Sequence, residues 1–169
     1  MSKACKIVPV KNRLGQLLRR PGGVSRTEAV EAAAVAVETL REDYVGAIPQ
    51  ELGALEAIAA AARKKRISPR DFEAMIERAG RLLTLAGTFR YDLLEQVVQR
   101  FCDLCVGMLE KGIDDAEAVD VHLRAMRLAC PGAPALSEEE AGKMLHGLSR
   151  VHAHYHIRRL GPAAVQADA

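Results

Sequence analysis

Apolar residues recur along this chain at steps of three and four, the period at which an α-helix presents one stripe to a core. Ser25 followed three residues later by Glu28 reads as a capping box, in which a hydroxyl and a carboxylate satisfy amides at a helix start. The helix it opens carries Val30, Ala34, Val37, Leu40, Tyr44 and Ile48 on one stripe, with Glu28, Glu31, Glu38 and Arg41 toward water. Pro49 removes a backbone donor and clashes with the preceding turn, so it predicts either a kink or a new helix. Leu52, Leu55, Ile58 or Ala59, and Ala62 continue a stripe as far as the basic turn from Arg63 to Arg66.

The clearest helix start is Ser68-Pro69-Arg70-Asp71, with an N-cap hydroxyl, proline at the first helical position and an acid near the positive end of the dipole. Phe72, Met75, Ile76, Ala79, Leu82, Leu83 and Ala86 then share a face, and Gly87 weakens the pattern. The next helix runs from about Tyr91 to Lys111, with Leu94, Val98, Phe101, Cys105 and Met108 inward, and Asp92, Gln96, Gln99 and Asp103 outward. Gly112 ends it. Asp114 and Asp115, read together as capping residues, open a helix to about Cys130, stopped by Pro131 and Gly132. Ser137 to Glu140 caps the last helix, which carries Ala141, Met144, Leu148 and Val151 and fades near Gly161 and Pro162. Short connections between amphipathic helices favour antiparallel neighbours. The expected architecture is therefore all-α, an up-and-down four-helix-type bundle with an additional N-terminal helix or kinked helix pair. One domain over residues 25–160 is expected, between an extended arm (1–24) and a disordered tail (161–169).

Composition supports this reading. The 169 residues are 49% hydrophobic but only 4% aromatic, and good helix formers dominate, which disfavours a large sheet. A net charge of +2 is too small to point to nucleic acid or an anionic membrane as the partner. The arm is different: Lys3, Lys6, Lys11, Arg13, Arg19, Arg20 and Arg26 occur with no acid among them, and read as a solvated basic arm. No apolar run approaches the ~20 residues that span a bilayer, and no signal-like segment opens the chain. Four irregularly spaced cysteines do not make a disulfide framework, so reduced thiols and a cytoplasmic location are expected.

Few residues invite chemistry. Cys102 and Cys105 have redox or metal spacing, but on a helix that spacing also places two small apolar side chains a turn apart, and core packing is the expectation. His152 and His156 could share a helical face and a metal; without a third ligand they read as surface histidines, and His122 as a buried, hydrogen-bonded structural one. Phosphate-binding glycine loops, nucleophile elbows and zinc-protease motifs are lacking, so no catalytic residue, metal or cofactor is expected.

The run from Ala79 to Leu94 resembles the histidine phosphotransfer domains of two-component signalling, in which His-x-Leu-Lys-Gly precedes a patch of small residues, Phe-Gly and a new helix. Leu82, Ala86, Gly87, Thr88 and Phe89 match that pattern. Gly80 stands in the histidine's place, Leu83 in the lysine's, Thr84 in the first glycine's and Arg90 in the last glycine's. The likeness covers about residues 68–130, and the stretches around Phe89 and from Val119 through His122 to Ala125 resemble degenerate members of the group. A phosphoacceptor needs an imidazole nucleophile, which Gly80 cannot supply. What the resemblance implies is a docking face, comprising Gly80, Thr84, Gly87, Arg90, Asp92 and Gln96, for a response-regulator receiver or a sensor kinase in a bacterial phosphorelay or chemotaxis pathway.

Two other expectations stand beside it. Asp92 and Gln96 have the D-x-x-x-Q spacing of chemotaxis receiver phosphatases, which use an acid and an amide against an aspartyl phosphate, although Leu94 and Glu95 depart from that pattern. The Ala-rich first helix could instead join two copies in a homodimer, since small residues let helices approach closely.

Overall fold

The computed structural model describes residues 23–158; the basic arm to residue 22 and the stretch from 159 lie outside them. Among the described residues six helices follow one another: α1 (Arg26–Val45), α2 (Ala47–Arg63), α3 (Pro69–Thr88), α4 (Asp92–Lys111), α5 (Ala116–Ala129) and α6 (Glu138–His154). Among the described residues there is no strand. The chain divides into two compact units, Met1–Thr39 and Leu40–Ala169. In the first, Glu28 accepts from the Ser25 amide at 2.7 Å and the Glu28 amide donates to the Ser25 hydroxyl at 3.2 Å, closing the expected capping box. Val30 and Val37 are exposed.

The second unit is a ring of four helices. α2 packs on α3, α3 on α4, α4 on α5, and α5 returns to α2, while α6 lies against α4 and α5. Pro49 falls in the first turn of α2, where its missing N–H has no partner to lose, so the chain turns at Gly46 and a new helix begins. Ile48 accordingly leaves the stripe of α1 and joins Leu52, Leu55, Ala59 and Ala62 in the core, whereas Leu40 and Tyr44 stay about half exposed. On α3, Phe72, Met75, Ala79, Leu82 and Ala86 are buried, and both halves of the Ser68–Asp71 capping box form. α4 is the central helix, with Leu94, Val97, Val98, Phe101, Leu104, Cys105 and Met108 all buried.

Two expectations change here. Asp103, placed outward by the stripe of α4, is 1% exposed: the groove it lines is also lined by His156, Ile157 and Arg158, the segment that follows α6. Of the acidic pair, Asp115 alone caps α5, accepting from the Glu117 and Ala118 amides at 2.8 and 3.2 Å. Asp114 ties two loops together instead, accepting from the Ile67 amide and from Arg66 Nε, each at 3.1 Å.

Three helices end in the same device. In each, a residue with positive φ is followed by an amide that reaches back five residues: Tyr91 to Ala86, Ile113 to Met108 and Ile157 to His152, each at 2.9 Å. The positive-φ residue is glycine only once, Gly112 (φ 62°); Arg90 (φ 58°) and His156 (φ 51°) fill the other two places.

Candidate functional site

The exposed side of the α3–α4 hairpin is built by alternation on two antiparallel amphipathic helices. Because Ala79, Leu82 and Ala86 face the core, Thr84 and Gly87 are turned out and exposed, with Gly80 half-buried beside them. A Cβ on Gly80 would meet nothing within 4 Å. The Thr84 hydroxyl donates to the Gly80 carbonyl at 3.0 Å and the Thr88 hydroxyl to the Thr84 carbonyl at 2.8 Å, so both are engaged within their own helix. Arg90 occupies the left-handed corner, the position where the phosphotransfer pattern has glycine. Asp92 and Gln96 are exposed one turn apart at the start of α4. All six residues that the resemblance implies thus belong to this one hairpin.

The spacing alone does not reveal two further features. The Glu95 carboxylate lies over Gly87, 3.6 Å from where a Cβ would stand, and adds an exposed acid to the face. Phe89 is 3% exposed, because the last turns of α1 cover it: Tyr44 stacks on its ring at 6.3 Å between centroids, the Arg41 guanidinium stands 5.8 Å above it, and Arg41 Nη1 donates to the Phe89 carbonyl at 3.4 Å. The ring at the corner is therefore taken, and the accessible face lies beside it along α3 and the first turns of α4.

The histidines and cysteines are arranged differently from the sequence reading in one respect. His122 is buried, and its Nδ1 donates to the Ala118 carbonyl at 2.9 Å, as expected of a structural histidine. His152, expected on the surface, is 4% exposed, with Nε2 3.2 Å from Nε2 of His122. His156 cannot share its helical face, since α6 ends at His154 and His156 takes the left-handed corner. Burial pushes the Cys105 thiol well up and the Cys102 thiol up to about 12, the latter with help from the charge of Asp103, so neither is a ready thiolate. Among the described residues no group of three or more His, Cys, Asp or Glu side chains is placed to hold a metal ion.

A groove of about 610 Å³ between α5 and α6 is lined by Asp115, Glu117, Arg150, His154 and Tyr155. The polar pair across it is structural: the Tyr155 hydroxyl bonds the Asp115 carboxylate that caps α5. That bond holds the carboxyl below its ordinary range and raises the phenol to about 12. No helix among the described residues is long and apolar enough to cross a membrane. No family model, curated protein or solved structure matches this chain.

Proposed function

We propose that this chain is a non-catalytic signalling module of the cytoplasm that binds the receiver domain of a response regulator, or another two-component protein, through the outer face of α3 and the first turns of α4. The observation that carries this reading is Gly80: at the phosphoacceptor position of a phosphotransfer-like hairpin stands a residue without a side chain, with open space above it. Such a face can be approached closely by another folded protein and offers it no nucleophile. Thr84 and Gly87 keep the relief low over the next two turns, while Arg90, Asp92 and Glu95 supply charge for choosing among partners.

Thr84→Arg tests the face. The Thr84 hydroxyl bonds only within its own helix and arginine is the better helix former, so thermal stability should change by no more than about 0.5 kcal/mol. Binding to the cognate receiver, followed by titration calorimetry, should weaken about tenfold or more, the consequence of a long cationic side chain at the centre of a contact. Undiminished affinity would place the contact elsewhere.

A second reading is favoured by Asp92 and Gln96, exposed one turn apart: an acid and an amide placed to act on the aspartyl phosphate of a docked receiver. In that case catalytic amounts of the protein should speed receiver dephosphorylation and Gln96→Ala should abolish the effect. Phosphate decay unchanged by the wild-type protein would leave the binding module alone standing.

A further inference from the structure

α6 lies outside the four-helix ring, and little apolar surface holds it there: Leu148 is buried, with Met144, Leu145 and Val151 half-buried around it. Its other buried residue is His152, which meets His122 of α5 through the 3.2 Å contact between their Nε2 atoms. The tautomers follow from the next bond. A carbonyl oxygen cannot donate, so Nδ1 of His122 carries the proton given to Ala118, and neutral His122 has a bare Nε2. That nitrogen accepts, and Nε2–H of His152 donates.

The geometry points to an acid-sensitive latch: a proton added to Nε2 of His122 sets two N–H groups against each other, and α6 with the segment to Arg158 leaves α4 and α5 while the ring of α2 to α5 stays folded.

A proton taken up at Nε2 of His122 removes the acceptor of this pair. The surroundings resist a charge there. The Phe101 ring of α4 stands 6.4 Å from the His122 ring, and the buried Arg100 guanidinium, also on α4, repels a cation there. Asp103, the buried carboxylate of the same helix, accepts from Gln99 Nε2 at 3.2 Å and lines the groove beside Ile157. On α6, His154 interacts with Asp115. Across α5, toward α2, the charges are paired with each other, Arg63 with Asp120 and Arg127 with Glu56. Burial first, then the charges of His152 and Arg100, hold His122 down to about 4 against the bond to Ala118, so the latch is closed at neutral pH.

The other anchors of α6 are hydrogen bonds and packing. Lys111 Nζ donates to the Tyr155 and His156 carbonyls at 2.9 and 2.8 Å. Tyr155 bonds the Asp115 carboxylate, whose pKa is lowered, and Ile157 sits so close to Gly107 that a Cβ there would lie 2.7 Å from it. Nε2 of His122 is thus a buried acceptor in this interface that an added proton removes.

Amide hydrogen exchange on the full chain from about pH 7 to pH 4, corrected for the intrinsic pH dependence of exchange, tests the latch. Amides from Leu145 to His154 should lose about tenfold in protection or more near the acid end while those of α3 and of Val97 to Leu104 keep theirs. His122→Gln retains an accepting oxygen that cannot be protonated in this range, and α6 should then stay protected throughout. If that variant fails to fold, the wild-type profile decides by itself. Protection of α6 unchanged to pH 4, or lost together with that of α3 at a single pH, overturns the proposal.

Discussion

Replacement of Phe101 by alanine is expected to lower the free energy of unfolding by about 4 kcal/mol, measured by urea titration at neutral pH. The ring is fully buried on the central helix, and its loss combines transfer free energy with a cavity that rigid helices on three sides cannot close. The cavity would also border the ring of His122, 6.4 Å away. A hole next to a polar imidazole holds water more readily than one lined only by apolar groups. The His122 pKa should therefore rise in the variant, from about 4 toward its ordinary 6.5, as read from imidazole proton shifts. Val121→Ala, one position from His122 but exposed on α5, serves as the control and should change stability by about 0.5 kcal/mol or less. A loss at Phe101 of that same small size would mean that α4 is not packed as described.

Acidification should have nearly as large an effect. His122 is neutral in the folded protein down to about pH 4, whereas in the unfolded chain it takes up a proton near 6.5. Between those values the unfolded state binds more protons than the native one, so stability rises with pH. The contribution is fully present above 6.5 and is lost as pH falls through the folded value. The gap corresponds to about 3 kcal/mol. Urea midpoints measured every half unit from pH 7 to pH 4 should fall along this slope, and His122→Gln should flatten it. Carboxylates add their share only at the bottom of the range. Asp71 and Glu140 are held low by their bonds to Ser68 and Ser137, and Asp115 by Tyr155, so each remains charged until the pH is below its ordinary value. A wild-type stability flat from pH 7 to pH 4.5 would show that His122 is not buried as a neutral ring.

How these two effects differ in origin bears on the outer face of α3 and α4 as well. Phe101 was recognisable as a core residue from its place in a periodic stripe, and the same stripe turned Asp92 and Gln96 outward. Gly80 and Thr84 followed from the stripe of α3 in the same way. The covering of Phe89 by Tyr44 and Arg41 did not follow, because it depends on where the end of α1 lies relative to a corner far along the chain, 48 residues from Arg41. Nor did the position of Glu95 over Gly87, which requires the spacing of two helices and not the period of one.

What the sequence alone determined are the features whose causes are local. Ser68 with Asp71 and Ser137 with Glu140 start helices by hydrogen bonds spanning three residues, Gly112 ends one by adopting a positive φ, and a repeat of three and four residues decides which side of each helix is apolar. Tertiary structure alone decided what lies against the polar sides. Asp103 and His152 read as solvent-facing on their own helices and are buried, because the segment after α6 covers one and α5 receives the other. Arg90 and His156 take left-handed corners without being glycine, held there by Tyr91 and Ile157 bonding back into the preceding helices. Periodicity reports the face a helix turns to one neighbour; a second neighbour, arriving from a distant part of the chain, can be read only once the helices are packed.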